Sequence, residues 1–273
     1  MTKTIDFLNS LISYTVVGEG MPVMLVHGFG EDRTTWKNVE EELKGSYKLI
    51  IPDLPGSGLS GMIDRKKMIP GIGMTMYADV LKKILDQEKL PSCVMIGHSM
   101  GGYITLAFAQ KYPEQLFTFG LFHSSAFADS DDKIKMRRKG IEFIRENGAY
   151  EFLKTSIPGL FGNRFRNEHP GRIHDCINRG VQFKDEVLIQ YYEAMIHRPD
   201  LTTVLTSSSK PILFIIGETD LAIPLEQSLK ECHLPTISEI EILHGVAHMG
   251  MWEDPVRCNQ AIKSFLKRIE NLS

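Results

Sequence analysis

The alternation of apolar and polar positions divides most of the chain into short buried strands and amphipathic helices. Runs of about four to eight apolar residues are typical of strands buried on both faces of a parallel sheet. Such runs predict buried strands over residues 93–96, 117–122 and 212–216, and residues 11–17, 23–26, 47–51 and 238–243 are also predicted to be strands. Apolar side chains spaced three and four apart predict helices after Met74, from Gly102 to Lys111 and near the C-terminus. This alternation predicts an α/β fold with a mostly parallel central sheet and helices on both faces.

The alternation stops over residues 128–209, where charged and aromatic side chains occur in helical clusters. A connection of this length favours a small helical subdomain over a loop. We therefore expect one core domain, formed by residues 1–127 and 210–273, and a helical cap or lid over 128–209. Within that cap the stretch from Ile157 to Gly171 is rich in Pro, Gly and Asn, and we expect it to be irregular and mobile.

Composition and charge exclude several classes of protein. The 273 residues are 42% apolar and 24% charged, as in ordinary globular enzymes. A net charge of -3 provides no field that would hold nucleic acid. No apolar run approaches the roughly 18 residues of a membrane span, and the first residues lack the apolar block of a secretory signal. We expect a cytoplasmic protein with reduced cysteines and no nucleic-acid or membrane partner, and nothing in the chain specifies an oligomeric state.

A serine between glycines lies where a predicted strand meets a predicted helix. The segment Gly97-His98-Ser99-Met100-Gly101 fits the G-x-S-x-G pattern of a nucleophile elbow. In so tight a turn, bulky side chains at the two glycines would collide with neighbouring backbone, while the serine points outward above the sheet. A phosphate-binding loop is the competing interpretation, but the required Gly-Lys-Ser/Thr ending is missing. The motif predicts that Ser99 is a nucleophile.

A serine hydroxyl needs an adjacent base, and that base needs an orienting acid. The turn after the sixth predicted strand carries Glu218 and Asp220, and the loop after the seventh carries His244 and His248. Serine, acid and histidine in this chain order are typical of this architecture. The order alone leaves two alternatives for the acid and two for the base.

Five segments together resemble the α/β-hydrolase fold family, in its lipase, esterase and haloperoxidase-like branch. They are His27-Gly28-Phe29-Gly30, Pro52 to Ser60, the serine elbow, Gly217 to Asp220, and the histidine loop ending in Glu253-Asp254-Pro255. The resemblance covers residues 12–127 and 210–272, which is the chain outside the insertion. Ser57 departs from the family pattern, which more often has histidine there.

The resemblance implies a role for each member of a catalytic triad. Ser99 would be the nucleophile, His248 the general base and later acid, and Asp220 the group that holds the imidazole tautomer. The backbone N-H groups of Phe29 and Met100 would form the oxyanion hole. The Met100 amide also stands at a helix N-terminus, where unpaired N-H groups point outward.

Four histidines near these motifs need separate assignments. His244 and His248 have the spacing of a helical zinc pair, but Gly245 occupies the place of the metalloprotease glutamate, so we expect no metal. We expect His244 to form hydrogen bonds within its loop and His98 to be a packing residue that points away from the reacting side. His123 could contact substrate, although a buried, hydrogen-bonded role is the more common one for such a residue.

The resemblance implies a serine hydrolase that cleaves carboxylic esters of small to medium apolar substrates through an acyl-enzyme, without a cofactor. The same triad would also support hydrolysis of thioesters or carbon-carbon bonds, or cofactor-free haloperoxidase and perhydrolase chemistry. A non-enzymatic ligand-binding module is a further alternative. Haloalkane dehalogenases and epoxide hydrolases are disfavoured because their nucleophile is an aspartate. We expect the substrate pocket to include Phe29, His123, Phe152, Leu153, Phe161, Met195 and Met249.

Overall fold

Eight strands form one sheet in the computed structural model of the protein, which describes residues 1–67 and 73–272. The strands are β1 (Thr2–Phe7), β2 (Ser10–Val17), β3 (Pro22–Val26), β4 (Lys48–Pro52), β5 (Cys93–His98), β6 (Leu116–Phe122), β7 (Ile212–Gly217) and β8 (Ser238–Leu243). Their order across the sheet is β1-β2-β4-β3-β5-β6-β7-β8. The β1/β2 and β2/β4 pairs are antiparallel, and the other five pairs are parallel. The prediction of a mostly parallel sheet is confirmed.

All seven predicted strands are present, and β1 is an additional strand that the apolar pattern did not predict. It lies at the edge of the sheet, where Ile5 is its one buried residue. Its six residues pair in register with β2, from Thr2 opposite Thr15 to Phe7 opposite Ser10. An edge strand held by such pairing needs little apolar sequence, so periodicity alone could not reveal it.

Twelve α-helices occur in the part of the chain that the structure describes. They are α1 (Lys37–Leu43), α2 (Met74–Gln87), α3 (Met100–Lys111), α4 (Asp131–Asn147), α5 (Ala149–Ser156), α6 (Asn163–Glu168), α7 (Pro170–Arg179), α8 (Asp185–Ile196), α9 (Thr202–Thr206), α10 (Leu225–Glu231), α11 (Gly250–Glu253) and α12 (Pro255–Glu270). The three predicted helices correspond to α2, α3 and α12. None of these described helices has both the length and the apolar character needed to cross a bilayer.

The arrangement of the central parallel strands indicates at which edge of the sheet a ligand site should lie. Strands β5 and β7 are buried along their whole length, because helices cover both faces of the sheet there. Parallel strands β3, β5, β6, β7 and β8 end at the same edge. In open parallel sheets ligands bind at this carboxyl edge, so the loops that follow these strands are the ones to inspect.

Helices α4 to α9 lie between β6 and β7, in the region where the predicted alternation of strands and helices stops. The prediction of an irregular stretch from Ile157 to Gly171 is wrong. It holds a 3-10 turn (Ile157–Leu160), α6 and the start of α7. Pro158 and Pro170 stand at the first or second position of their helices, where a missing N-H costs nothing. Here proline starts helices instead of interrupting them.

A buried ionic cluster ties the two ends of the inserted helices together. The Asp129 carboxylate, near the start, pairs with Arg137 at 2.6 Å and with Arg198, near the end, at 2.8 Å. Arg198 also donates to the Phe127 carbonyl oxygen at 2.9 Å, and its guanidinium lies 3.8 Å from the ring centre of Tyr103 in α3. Charges can be buried in this way because each is paired. The cluster anchors the insertion to the helix that follows Ser99.

Candidate active site

Ser99 occupies a strained turn between β5 and α3. Its φ of 51° and ψ of -118° lie outside the usual regions for a residue with a side chain. A Cβ at Gly97 would collide with the backbone of Gly101, and one at Gly101 would collide with the Val26 carbonyl. The Ser99 N-H donates to the Phe122 carbonyl oxygen at 2.9 Å. The turn therefore has the predicted strand-elbow-helix shape and presents the serine side chain at the carboxyl edge of the sheet.

A continuous chain of hydrogen bonds joins three side chains that are far apart in the sequence. His248 Nε2 lies 2.9 Å from Ser99 Oγ, and His248 Nδ1 lies 2.7 Å from Asp220 Oδ2. Asp220 and His248 are 3% and 4% exposed, and Ser99 is half-buried. A carboxylate accepts a hydrogen bond from Nδ1-H, which leaves Nε2 unprotonated and able to accept the serine proton. This geometry can activate a hydroxyl as a nucleophile.

Asp220 is held as a carboxylate by its surroundings. Its Oδ1 accepts the N-H groups of Ala222 at 2.8 Å and Ile223 at 2.9 Å. Burial acts to raise the pKa of Asp220, but the charge and hydrogen bond of His248 outweigh burial, so the pKa lies below its ordinary value. Gly217 allows the close approach of the two loops, because a Cβ there would collide with the Ala247 carbonyl.

The alternative acid and base form a separate pair at the surface. Glu218 accepts the Gly245 N-H at 2.8 Å and lies 3.3 Å from His244 Nδ1, and both side chains are exposed. The structure thus brings Asp220 and His248 to Ser99 and leaves Glu218 and His244 outside. Within residues 1–67 and 73–272, no three His, Cys, Asp or Glu side chains are grouped as metal ligands.

Two backbone amides near Ser99 are free to bind an oxyanion. Met100 is the first residue of α3, so its N-H has no partner within the helix. Phe29 lies in the loop after β3. This loop closely approaches the elbow: a Cβ at Gly28 would lie only 3.2 Å from Ser99 Cβ. Among the described residues, neither amide donates to a protein acceptor. These are the two groups that the resemblance nominated as oxyanion donors.

Comparison with known families decides the membership of the chain. A sequence model of the alpha/beta hydrolase family matches residues 23–261. The chain belongs to this family. The match spans the loop after β3, the elbow, both loops that supply Asp220 and His248, and the whole helical insertion.

Proteins similar to this chain are named for several different hydrolytic activities. A solved thermophilic esterase from Thermogutta terrifontis, with malate bound, is 32% identical over 95% of this chain and 94% of its own, with a TM-score of 0.88. A 2-hydroxy-6-oxononadienedioate/2-hydroxy-6-oxononatrienedioate hydrolase from Escherichia coli is 26% identical over 94% of this chain and 91% of its own. An enol-lactonase structure from Burkholderia xenovorans LB400, 18% identical over 97% of this chain and 100% of its own with a TM-score of 0.88, shows the shared fold.

A narrow pocket of about 30 Å³ lies between the inserted helices and the loop after β3. Phe29 and Met249 belong to its wall, so the pocket borders both the candidate oxyanion loop and the histidine loop. The remaining wall is largely apolar. Its apolar lining includes Ile157, Leu160, Phe161, Cys176, Phe183 and Trp252, and its polar lining includes Glu31, Asp32, Thr35, Arg179 and Gln182. Arg179 adds a charge at this wall, where its guanidinium lies 5.2 Å from the ring centre of Trp252 and donates to Thr34 Oγ1 at 2.7 Å.

The other predicted pocket residues lie outside this wall. Phe152 meets the Phe29 ring edge to face at 6.2 Å, and Leu153 packs against Gly30. Met195 is buried in α8. His123 is buried between backbone groups, where its ring nitrogens lie 3.1 and 3.2 Å from the N-H groups of two glycines. Their sequence periodicity reflected packing within the insertion and the core, as is usual for apolar positions on helices.

Several residues at the site were not anticipated from the sequence. Glu253 accepts the N-H groups of Gly162, Ala247 and Met249, and so fixes the loop that carries His248. His98 does pack against aromatic rings, but both of its ring nitrogens also have polar partners. Glu31 is one of those partners. The sequence signal for this contact was the position of Glu31, an acid directly after the glycine-rich segment 27–30.

Proposed function

We propose that the protein is a serine hydrolase that cleaves carboxylic esters of small to medium apolar substrates through an acyl-enzyme. The observation that carries this proposal is the hydrogen-bond chain from Asp220 through His248 to Ser99, with distances of 2.7 and 2.9 Å. Family membership and the esterase relative at 32% identity support the same conclusion.

The proposed reaction has two matched halves. His248 accepts the Ser99 proton while Oγ attacks the ester carbonyl, and the N-H groups of Phe29 and Met100 stabilise the tetrahedral oxyanion. The C-O bond then breaks, and His248 returns its proton to the departing alcohol. Water repeats the attack on the acyl-enzyme with His248 as base, which releases the acid and restores the serine. None of these steps needs a metal or a cofactor.

The lining of the pocket supports the apolar character of the proposed substrate. Most of the exposed wall is aliphatic or aromatic, which favours apolar groups of a substrate over a polyhydroxylated molecule that would need many hydrogen bonds to leave water. In this proposal the inserted helices act as a cap, since residues from 157 to 183 form one side of the pocket. The partner is accordingly a small-molecule ester.

Carbon-carbon bond hydrolysis is the second candidate. The observation that favours it is the 26% identity, over nearly the whole chain, to the Escherichia coli hydrolase of a dienedioate. The same serine, acid and histidine could generate the nucleophile for either reaction. The two candidates differ in the bond that breaks, and a substrate panel therefore separates them.

The decisive experiment combines a substrate panel with Ser99→Ala. The purified protein is assayed with p-nitrophenyl acetate, butyrate and octanoate, an aryl thioester and a vinylogous diketone that reports carbon-carbon cleavage. We expect ester turnover to be the fastest, and Ser99→Ala to lower kcat by at least about 10⁴-fold with an unchanged melting temperature. Full activity in this variant would refute the nucleophile. A faster diketone reaction would replace the ester proposal by the second candidate.

A fluorophosphonate probe distinguishes an enzyme from a ligand-binding module. The probe reacts covalently with a serine only where a base activates the hydroxyl. We expect stoichiometric labelling of the wild-type protein, loss of labelling in Ser99→Ala and slow labelling in His248→Gln. A chain that binds the probe without covalent labelling would be a binding module.

A further inference from the structure

Both ring nitrogens of the buried His98 face oxygen atoms that can accept hydrogen bonds. Its Nε2 lies 2.9 Å from the backbone carbonyl oxygen of His248, and its Nδ1 lies 3.0 and 3.1 Å from the two carboxylate oxygens of Glu31. A neutral imidazole has one N-H, and the imidazolium has two. Because a carbonyl oxygen never donates, Nε2 must carry a proton. The question is whether Nδ1 carries one as well.

The Glu31-His98 contact contains one proton that either partner could hold. Glu31 Oε2 also accepts the Gly28 N-H at 2.8 Å, which favours the ionised carboxylate. Burial acts to raise the pKa of Glu31, but His98 and the Gly28 amide outweigh burial and lower it. Burial likewise acts to lower the pKa of His98, and the Glu31 carboxylate outweighs it and raises that pKa. Both directions place the proton on the imidazole.

We propose that Glu31 and His98 form a buried carboxylate-imidazolium pair that positions His248 and the Gly28-Phe29 loop for catalysis. This inference rests on the proposed function, because it assigns positioning residues to that same site. Neither residue is a member of the triad. The pair acts through the backbone groups of Gly28 and His248 and does not contact the reacting atoms itself.

The pair connects the three loops that the reaction needs. Glu31 holds the oxyanion loop through the Gly28 N-H, and His98 belongs to the elbow next to Ser99. A Cβ at Gly28 would lie 3.1 Å from His98 Nδ1 and 3.3 Å from the Glu31 carboxyl carbon, so these groups converge at one point. His98 Nε2-H holds the His248 carbonyl, whose own residue donates its N-H to the Leu160 carbonyl at 2.9 Å. Loss of either partner would release all three loops.

The surroundings of His98 include few other charges. Its ring lies 5.0 Å from the ring of His248 and 6.1 Å from that of His123, and the charge of Asp220 also acts on it. The remaining neighbours are the rings of Trp36 and Phe122, which meet it edge to face. Of these groups, Glu31 alone makes direct contact with Nδ1, so it is the partner that neutralises the imidazolium.

The protonation state can be measured on the unmodified protein. Neutron diffraction from crystals grown in deuterated buffer at pH 7.5 locates the deuterium atoms on each histidine ring. We expect deuterium on both Nδ1 and Nε2 of His98 and none on the Glu31 carboxylate. A single deuterium on His98 would overturn the ion pair. This measurement needs no turnover, so it stands even if the ester proposal fails.

The positioning role is tested with Glu31→Gln and a matched control, Glu218→Gln. Both acids accept a glycine N-H and contact a histidine Nδ1, but Glu218 and its partner His244 are exposed, whereas the partner of Glu31 is buried and bonds the His248 carbonyl. We expect Glu31→Gln to lower kcat by about 10²-fold with unchanged KM, because small displacements at the reacting centre cost this much. Glu218→Gln should retain wild-type kcat.

A second variant guards against a folding defect. Glu31→Asp keeps the charge on a shorter arm, and we expect it to recover part of the lost kcat; melting temperatures and fluorophosphonate labelling rates are measured on all variants. Labelling reports the activation of Ser99 independently of the natural substrate. Wild-type kcat and labelling in Glu31→Gln would overturn the positioning role, as would an equal loss in Glu218→Gln. If Ser99→Ala keeps activity while the ion pair is seen by neutrons, only the proposed function has failed.

Discussion

The two sides of His248 each contain a second buried histidine, and the two are in opposite environments. On the elbow side, His98 faces the oxygens of Glu31 and of the His248 backbone. On the acid side, His123 lies near Asp220, with its ring nitrogens facing the N-H groups of Gly217 and Gly250. Burial lowers the pKa of His123 well below its ordinary value, whereas Glu31 raises that of His98. Equal burial therefore accompanies opposite pKa shifts, and the neighbouring charges and hydrogen-bond partners decide their direction.

The difference has a consequence for how each side supports the reaction. A neutral His123 fills space beside Asp220 without competing strongly for its charge, which leaves the carboxylate available to His248. A charged His98 needs its own carboxylate, and Glu31 supplies it from the oxyanion loop. The acid side thus acts on the His248 ring directly, while the elbow side acts on its backbone.

The largest expected effect comes from removing the charge on the acid side. Asp220→Asn should lower kcat by about 10⁴-fold, because an amide can stabilise the wrong tautomer of His248 and cannot balance an imidazolium. The measurement is steady-state kcat on the best ester of the panel, with the melting temperature as the control for folding. A loss no greater than that of Glu31→Gln would erase the distinction between the two sides.

An intermediate effect is expected from His123→Asn, which tolerates the positive φ of 47° at this position. The shorter side chain leaves the Gly250 N-H without its acceptor, which costs about 1 to 3 kcal/mol of unfolding free energy. Because burial holds the pKa of His123 well below its ordinary value, we expect the same loss at pH 6 and pH 8. Urea unfolding at both values measures it, and a loss that changes between them would mean that His123 titrates.

The smallest effect is a pH dependence of stability that belongs to the elbow side alone. A raised pKa of His98 in the folded state stabilises the protein fully below the unfolded value of about 6.5, and this contribution is lost as pH rises through the folded pKa. The lowered pKa of Glu31 contributes above about 4.5 and is lost as pH falls through its folded value. The unfolding free energy of wild type minus that of Glu31→Gln should be largest near pH 5 to 6.5 and shrink at pH 9. A difference independent of pH would contradict the ion pair.

Local pattern was sufficient for much of the fold. All seven predicted segments are strands, although only β5 and β7 are buried along their whole length, and the serine elbow followed from glycines that must lack a Cβ. The edge strand β1 was not predicted, because its backbone hydrogen bonds to β2 hold it in the sheet without a pattern of apolar residues. The stretch 157–171 misled because proline and glycine mark helix starts as well as loops.

The pocket shows the limit of the same reasoning. Phe29, Phe161 and Met249 line this pocket, whereas Phe152, Leu153 and Met195 lie outside it. A helix in the insertion presents apolar side chains both to its own neighbours and to the pocket, and periodicity does not distinguish these two surfaces. Arg179 in α7 and Trp252 in α11 also line the pocket, although these two helices are far apart in the chain.

The sequence by itself determined the order of the strands along the chain, the elbow with Ser99, and the later segments that carry an acid and a histidine. Its choice of Asp220 and His248 depended on a family resemblance. Only the tertiary structure decided which carboxylate meets which imidazole, and so separated the surface pair of Glu218 and His244 from the buried pair of Glu31 and His98. The physical reason is that charge on a histidine depends on donors and acceptors contributed by other loops, and their distances are set by packing across the sheet edge.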